Sequence, residues 1–225
     1  MTIQPAEATT ARPEAASASQ FLPVDLLRRF DVPGPRYTSY PTADRFVEAF
    51  GPAEYRGALR QRAEGARVGG NTPLSVYVHI PFCESVCYYC ACNKVITRHH
   101  DRATEYLRAL KAEIAMHAAA LGGPQALSQL HFGGGSPTFL TDAELADLMQ
   151  VLGAAFRIAP GAEVSIEVDP RTVSAERLSA LRAMGFNRLS FGVQDFDPDV
   201  QKAVHRVQSF EMVRAKEAGV CFGRP

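Results

Sequence analysis

At 225 residues the chain can bury a substantial core, and its 46% apolar and 21% charged residues are those of a globular protein. Lysine plus arginine equals aspartate plus glutamate at 24 each, so net charge argues for neither a nucleic-acid binder nor an acidic tail. No apolar run is long enough to span a bilayer, and the N-terminus lacks the basic-then-apolar order of a secretory leader, which makes the cytoplasm the default compartment.

Residues 1–20, rich in Ala, Thr, Ser, Glu and Pro without apolar periodicity, read as a disordered tail. An extension over 21–70 follows. It holds a short helix over Leu22–Phe30, a proline-rich stretch from Pro33 to Thr42 forced into an extended path, and a weakly amphipathic helix over about 52–64. Gly69-Gly70-Asn71 is a loop, and from residue 71 to the end a β/α cadence sets in. Leu74–Ile80 is β-branched, aromatic and closed by Pro81, hence a strand. Tyr106, Leu107, Leu110 and Ile114 mark a helix over 102–120, and Ala126–Phe132 is a second strand ending in three glycines. Thr141-Asp142-Ala143-Glu144 is a capping box ahead of the stripe Leu145, Leu148, Met149 and Leu152. Glu163–Val168 is a third strand, Ser174 to Gly185 a helix with its cap and stop, and Arg188–Val193 a fourth strand. Asp197-Pro198 starts another helix, on which Arg206 is placed; the last ten residues continue the pattern poorly.

Four alternations predict an α/β fold with parallel strands joined by right-handed crossovers. Whether they form part of a barrel or an open doubly wound sheet stays open. In either, the ligand site lies at the C-terminal strand ends. The informative residues fall there each time: the cysteine loop, the glycines, Glu167 and Gln194.

Four of the five cysteines (Cys83, Cys87, Cys90 and Cys92) lie within ten residues, with Cys221 alone near the end. A secreted disulfide framework spreads its cysteines to close long loops, so this cluster reads as metal ligands or redox thiols. Three thiolates at C-x3-C-x2-C suit three corners of a 4Fe–4S cube and leave one iron open for chemistry. Two rivals remain. A zinc site could use all four cysteines, although the single residue between Cys90 and Cys92 is short of zinc spacing. A redox pair Cys87/Cys90 would leave two cysteines unexplained.

Cys83-x3-Cys87-x2-Cys90 resembles the radical S-adenosylmethionine signature, and the chain is similar over residues 21–214 to the oxygen-independent coproporphyrinogen III oxidases. The resemblance rests on Gly34-Pro35-Arg36-Tyr37-Thr38-Ser39-Tyr40-Pro41-Thr42, Tyr77-Val78-His79-Ile80-Pro81-Phe82-Cys83 and Cys90-Ala91-Cys92-Asn93-Lys94. It continues through His131-Phe132-Gly133-Gly134-Gly135-Ser136-Pro137-Thr138, Ser165-Ile166-Glu167-Val168-Asp169-Pro170 and Phe186 to Phe196.

The resemblance implies four β/α units of a partial (β/α)6 radical-SAM barrel preceded by an N-terminal extension. It implies a 4Fe–4S cluster on Cys83, Cys87 and Cys90, which by the residues' own character Tyr88, Tyr89 and the apolar strand before the loop would shield from water, and two S-adenosylmethionine molecules. Tyr77 would contact the first and Glu167 its ribose, while Gly134 and Gly135 admit close approach of the backbone. Tyr89, Gly135, Ser136, Gln194 and Arg206 would contact the second. Without the family, Tyr77 reads equally as a core tyrosine, Glu167 as a solvated edge charge and Arg206 as an exposed helical charge. The implied reaction is oxidative decarboxylation of two propionates of coproporphyrinogen III to vinyls, giving protoporphyrinogen IX through a 5′-deoxyadenosyl radical. No catalytic side chain is assigned beyond the cofactor ligands. The expected partners are that substrate, an electron donor and an acceptor, with no nucleic acid, no membrane span and a monomeric state. Relatives that act as haem chaperones usually lack both Cys92 and the Arg36–Tyr40 segment, so these favour the oxidase. Arg36 would cover the mouth or bind a propionate. Family members continue for about as many residues again, so the chain is expected to hold an incomplete barrel, poorly stable and inactive on substrate even where it binds the cluster.

Overall fold

A computed structural model describes residues 23–32, 42–67 and 72–218. The tail, Arg36 with the Gly34–Pro41 stretch, and Cys221 lie outside the described residues. The chain divides into two units, residues 1–49 and 50–225. Within the first, helix α1 (Val24–Phe30) buries none of its residues and a single 3-10 turn covers Ala43–Arg45.

The second unit opens with α2 (Pro52–Arg67), which packs on α3 (Asp101–Ala120); Ala63 is buried and Tyr55 reaches His117 through a 2.9 Å hydrogen bond. Strand β1 (Leu74–Ile80) leads into a small parallel pair, β2 (Phe82–Cys83) with β3 (Val95–Ile96), which brackets the cysteine loop. After α3 come β4 (Ala126–Gly134), α4 (Asp142–Ala155), β5 (Arg157–Val168), α5 (Ala175–Ala183), β6 (Arg188–Phe191), α6 (Pro198–Ala203) and α7 (Phe210–Ala218). The main sheet runs β1-β4-β5-β6, every pairing parallel.

Two observations decide between barrel and doubly wound sheet. Each strand is added beside its predecessor with no reversal of order, whereas a doubly wound sheet needs a switch point. The strands also alternate. Val78, Ile80, Leu130, Phe132, Val164, Ile166 and Val168 are buried toward the helices, and meet Leu145, Leu148 and Leu152 of α4 and Leu178 and Leu181 of α5 in one core. The odd-numbered positions in register, Tyr77 beside His131 beside Ser165, carry polar groups on the other face. A sheet covered by helices on both faces would be apolar at nearly every position, so this one has the inside and outside of a barrel wall. Burying each large aliphatic side chain on the helix side contributes about 1.5–3 kcal/mol.

The capping box forms as read: Thr141 Oγ1 accepts from the Glu144 N–H at 3.2 Å, and Glu144 accepts from the Thr141 N–H at 2.8 Å. Several boundaries differ from the sequence reading, among them β4, which runs on to Gly134, and α2, which runs on to Arg67. Strand β5 begins at Arg157 rather than Glu163, because Pro160-Gly161 makes a bulge and not a turn. The register jumps from Leu127 opposite Ile158 to Gln129 opposite Glu163, and Gly161 takes φ +75°. Strand β6 stops at Phe191, two residues early. There the chain peels off, and buried Gln208 and Gln201 hold the Val193 and Asp195 carbonyls in place of a sheet partner. Helix α7 continues through Ala218, past the point where the pattern weakens.

Candidate functional site

The cysteine loop is fixed at its root from both sides. The Val95 N–H donates to the Pro81 carbonyl at 2.7 Å and the Thr97 N–H to the Cys83 carbonyl at 2.9 Å. From the end of β4, Gly135 and Ser136 donate to the Ile80 and Phe82 carbonyls, each at 2.8 Å. This approach explains the glycines differently from the sequence reading. A β-carbon on Gly134 would lie 2.6 Å from the His79 ring, and one on Gly135 would lie 2.7 Å from the Phe82 carbonyl and 2.9 Å from Cys83 Sγ. Gly134 also sits at φ +113°. Gly135 is thus required by the root of the protein's own cysteine loop, and Gly134 by the His79 ring on β1 and by its positive φ.

At its far side the loop is tied to the chain beyond α6. The Tyr88 N–H donates to the Val204 carbonyl at 3.1 Å, and His205 bonds the Val86 carbonyl at 2.8 Å through Nδ1. The Tyr88 ring stacks on His205 and stands largely exposed, so it does not close over the cysteines. Tyr89, its neighbour, is also exposed but lines the same cavity as the cysteines.

A cavity of about 380 Å³ opens between the loop and the strand ends. Cys83, Cys87 and Cys90 line it together with Tyr89 and Cys92, as do Gly134, Gly135 and Ser136 from the end of β4 and, from further along the chain, Glu167, Gln194 and Arg206. Tyr77 stands outside this lining. It is 56% exposed, hence no core tyrosine, and it stacks on His131 with centroids 5.7 Å apart while its hydroxyl meets His79 Nδ1 at 3.2 Å. Glu167 is pinned rather than free at the edge, accepting from the Gly134 N–H at 3.1 Å and lying 3.5 Å from His131 Nε2. Gln194 holds φ +70°, a left-handed conformation that a non-glycine residue adopts at a cost of about 1–2 kcal/mol. Arg206 is off the helix on which the sequence placed it. It lies in the turn after α6, buried, its Nη2 on the Gly192 carbonyl at 2.6 Å.

Three site residues escaped the sequence reading. Asp169 and Arg171 follow β5 at the same mouth as Glu167 and line the cavity; Lys94 donates from Nζ to the Cys90 carbonyl at 2.7 Å. The signal available for the first two was their position, one and three residues past a parallel strand. The thiols differ in environment. Burial pushes Cys83 up, with neighbouring Cys90, Cys87 and Asp169 charges adding to it against a hydrogen bond from Ser136. Burial would raise Cys90 as well, but hydrogen bonds from Cys92 and the charge of Lys94 outweigh it and hold that thiol below its ordinary value.

A sequence profile for the radical SAM superfamily matches residues 77–221. The chain belongs to the radical SAM superfamily. It is 50% identical over 192 residues to the oxygen-independent coproporphyrinogen III oxidase of Pseudomonas aeruginosa, covering 84% of this chain and 41% of that one. It is 48% identical over 190 residues to the enzyme of the same name from Escherichia coli, covering 84% and 40%. A solved structure of coproporphyrinogen III oxidase from Escherichia coli, described as a radical SAM enzyme, superposes with a TM-score of 0.75 at 44% identity, over 88% of this chain and 42% of the other. The chain thus spans about two fifths of the length of these relatives.

A radical SAM protein works with a 4Fe–4S cluster and S-adenosylmethionine. The residues present fit such groups. All three thiols of the C-x3-C-x2-C loop, Cys83, Cys87 and Cys90, line the same cavity of about 380 Å³. Arg206 Nε is buried with no partner among the described residues, a donor left for a ligand in the cavity.

Proposed function

We propose that the chain carries the cofactor-binding half of an oxygen-independent coproporphyrinogen III oxidase, a cytoplasmic enzyme that converts two propionates of coproporphyrinogen III to vinyls. The observation that supports it best is the convergence, on one cavity at the strand ends, of the cysteine loop with Glu167, Gln194 and Arg206, residues that are far apart in the chain. The identity of 48–50% to oxidases of that name supports the substrate class.

In this reading Cys83, Cys87 and Cys90 are the cluster ligands, and Cys92 is left out of the set. When bound, the cluster and S-adenosylmethionine supply a 5′-deoxyadenosyl radical. The chain's own residues bind and orient. Tyr77 and Glu167 serve the first S-adenosylmethionine, with Gly134 lining the cavity beside Glu167. Tyr89, Gly135, Ser136, Gln194 and Arg206 serve a second, Arg206 offering its unpartnered Nε to a carboxylate. Glu167, already turned inward by the Gly134 N–H, presents its other oxygen to ribose hydroxyls.

Anaerobic reconstitution with iron and sulfide, followed by assays for 5′-deoxyadenosine and for decarboxylated porphyrin, tests the reading in two steps. The 225-residue chain is expected to hold the cluster and release 5′-deoxyadenosine. Porphyrin decarboxylation is expected where the remaining length of the relatives is supplied. Haem binding with no 5′-deoxyadenosine release would overturn the oxidase reading in favour of a haem-binding relative.

A further inference from the structure

The turn after β5 holds a charged pair, Asp169 and Arg171, to which none of the cofactor contacts above assigns a role. Asp169 is 8% exposed. Its carboxylate takes Arg171 Nε at 3.0 and 3.1 Å, Arg171 Nη2 at 2.6 Å and the Arg171 backbone N–H at 3.0 Å. Arg206 Nη2 lies 3.3 Å from the same carboxylate. One buried anion therefore gathers two guanidiniums from elements 35 positions apart in the chain.

What the two guanidiniums face is a sulfur. Arg206 Nη1 lies 3.6 Å from Cys87 Sγ and Arg171 Nη2 lies 3.9 Å from it. The other two thiols have different surroundings: Cys83 faces the Ser136 hydroxyl at 3.7 Å, and at Cys90 the Lys94 ammonium bonds the backbone carbonyl. Two cations against one carboxylate leave a net positive charge beside Cys87. An arginine suits this task where a lysine would not. Its planar fork bonds both carboxylate oxygens while an N–H of the same group faces the sulfur.

Positive charge and N–H···S hydrogen bonds stabilise the more electron-rich state of a thiolate-ligated cluster and raise its reduction potential. We propose that Asp169 and Arg171 are positioning residues that set the potential of the cluster through Cys87, with Asp169 holding both guanidiniums against that sulfur. The inference rests on Cys87 being a cluster ligand. The competing role is structural: an ion-pair knot joining the β5 turn to the chain beyond α6. A knot would affect folding and cluster retention but not the potential.

The test is a redox titration of the reconstituted 225-residue chain, without S-adenosylmethionine, followed by the electron paramagnetic resonance signal of the reduced cluster, with iron content measured in parallel. In Arg171→Met the ratio of reduced to oxidised cluster, at the potential where it is one in the wild type, is expected to fall about tenfold, or about 59 mV for a one-electron couple. Arg171→Lys keeps the charge and loses the fork, so it is expected to fall in the same direction by less. Should Arg171→Met not retain iron, the lysine variant decides. Full iron content with the wild-type midpoint in the variants that retain iron overturns this inference alone and leaves the cluster reading standing. A wild-type chain that holds no cluster, or a Cys87→Ser variant with undiminished iron content, overturns the ligand reading and this inference with it.

Discussion

Gly135→Ala tests whether the glycine run serves the cysteine loop. The new β-carbon would stand 2.7 Å from the Phe82 carbonyl, 2.8 Å from the Pro81 carbonyl and 2.9 Å from Cys83 Sγ. Relief to 3.4 Å, where ordinary van der Waals contact begins, requires Phe82 to retreat by about 0.7 Å. Two of the three obstacles are backbone, and Gly135 and Ser136 hold that backbone through 2.8 Å hydrogen bonds, so a side-chain rotation cannot absorb the strain. Overpacking of this kind costs about 1–3 kcal/mol, and the rigid neighbours place it in the upper half. In a domain of this size that lowers the melting temperature by roughly 4–12 °C. The displaced atom is a thiol, so iron retained after reconstitution should fall as well. Gly153→Ala is the control. It lies within α4 with nothing within 4 Å of the added carbon, and should stabilise the chain by about 0.5–1 kcal/mol. Circular-dichroism melts and iron analysis of both variants provide the comparison. A Gly135→Ala chain with wild-type melting and iron content would refute the packing account of the glycines.

Serine at Cys83, Cys87 or Cys90 should abolish the cluster's visible absorption and reduce bound iron to background, whereas Cys92→Ser should retain both; loss in Cys92→Ser would make Cys92 a fourth cluster ligand. Thr141→Ala removes the acceptor for the Glu144 N–H and should lower stability by about 1 kcal/mol in urea melts, while Thr141→Ser should hardly change it. Acid should destabilise the chain through two carboxylates. Burial would raise Asp169, but hydrogen bonds from Arg171 and the charges of Arg206 and Arg171 outweigh it and hold the group low; burial opposes Glu144 likewise, against hydrogen bonds from Thr141 and His100. Both folded values lie below the unfolded ones, so the stability they add is complete above about pH 5 and is lost as pH falls through about 4 and below. Urea midpoints that stay level or rise from pH 5 to pH 3 would contradict this assignment.

Most of the architecture was legible because it follows from local chemistry. Leu74–Ile80 is read with the same ends in sequence and structure, since Pro81 closes the strand and the apolar residues alternate. The Thr141 box and the Asp197 cap appear where their side chains require. The differences arise where a distant partner overrides a local signal. Pro160-Gly161 carries turn chemistry, yet pairing with β4 turns it into a bulge inside β5. Arg206 belongs to a helical pattern by spacing, yet it is drawn off α6 into a buried turn by Asp169 and the Gly192 carbonyl. Barrel against open sheet could not be decided from four alternations, because the deciding quantities are strand order and which face is polar, both properties of pairing.

The site was legible to a different degree for each kind of residue. The cysteines could be found because ligand spacing is short and lies in one loop. Glu167 and Gln194 could be found because a parallel sheet puts strand ends at one mouth. Asp169 and Arg171 have the same address, yet nothing in an Asp-Pro-Arg tripeptide distinguishes a solvated turn from a buried ion pair. Only the fold supplies the difference, by bringing Arg206 to the carboxylate and Cys87 to both guanidiniums. The arrangement has a physical consequence that the motif alone does not. Two arginines with side chains only 10% and 21% exposed can stand beside a sulfur only with an anion between them, because an unpaired guanidinium there would cost several kcal/mol. Asp169 is thus the condition for the other two, and a search for residues that tune such a cluster should begin from the buried counter-ion rather than from the ligands.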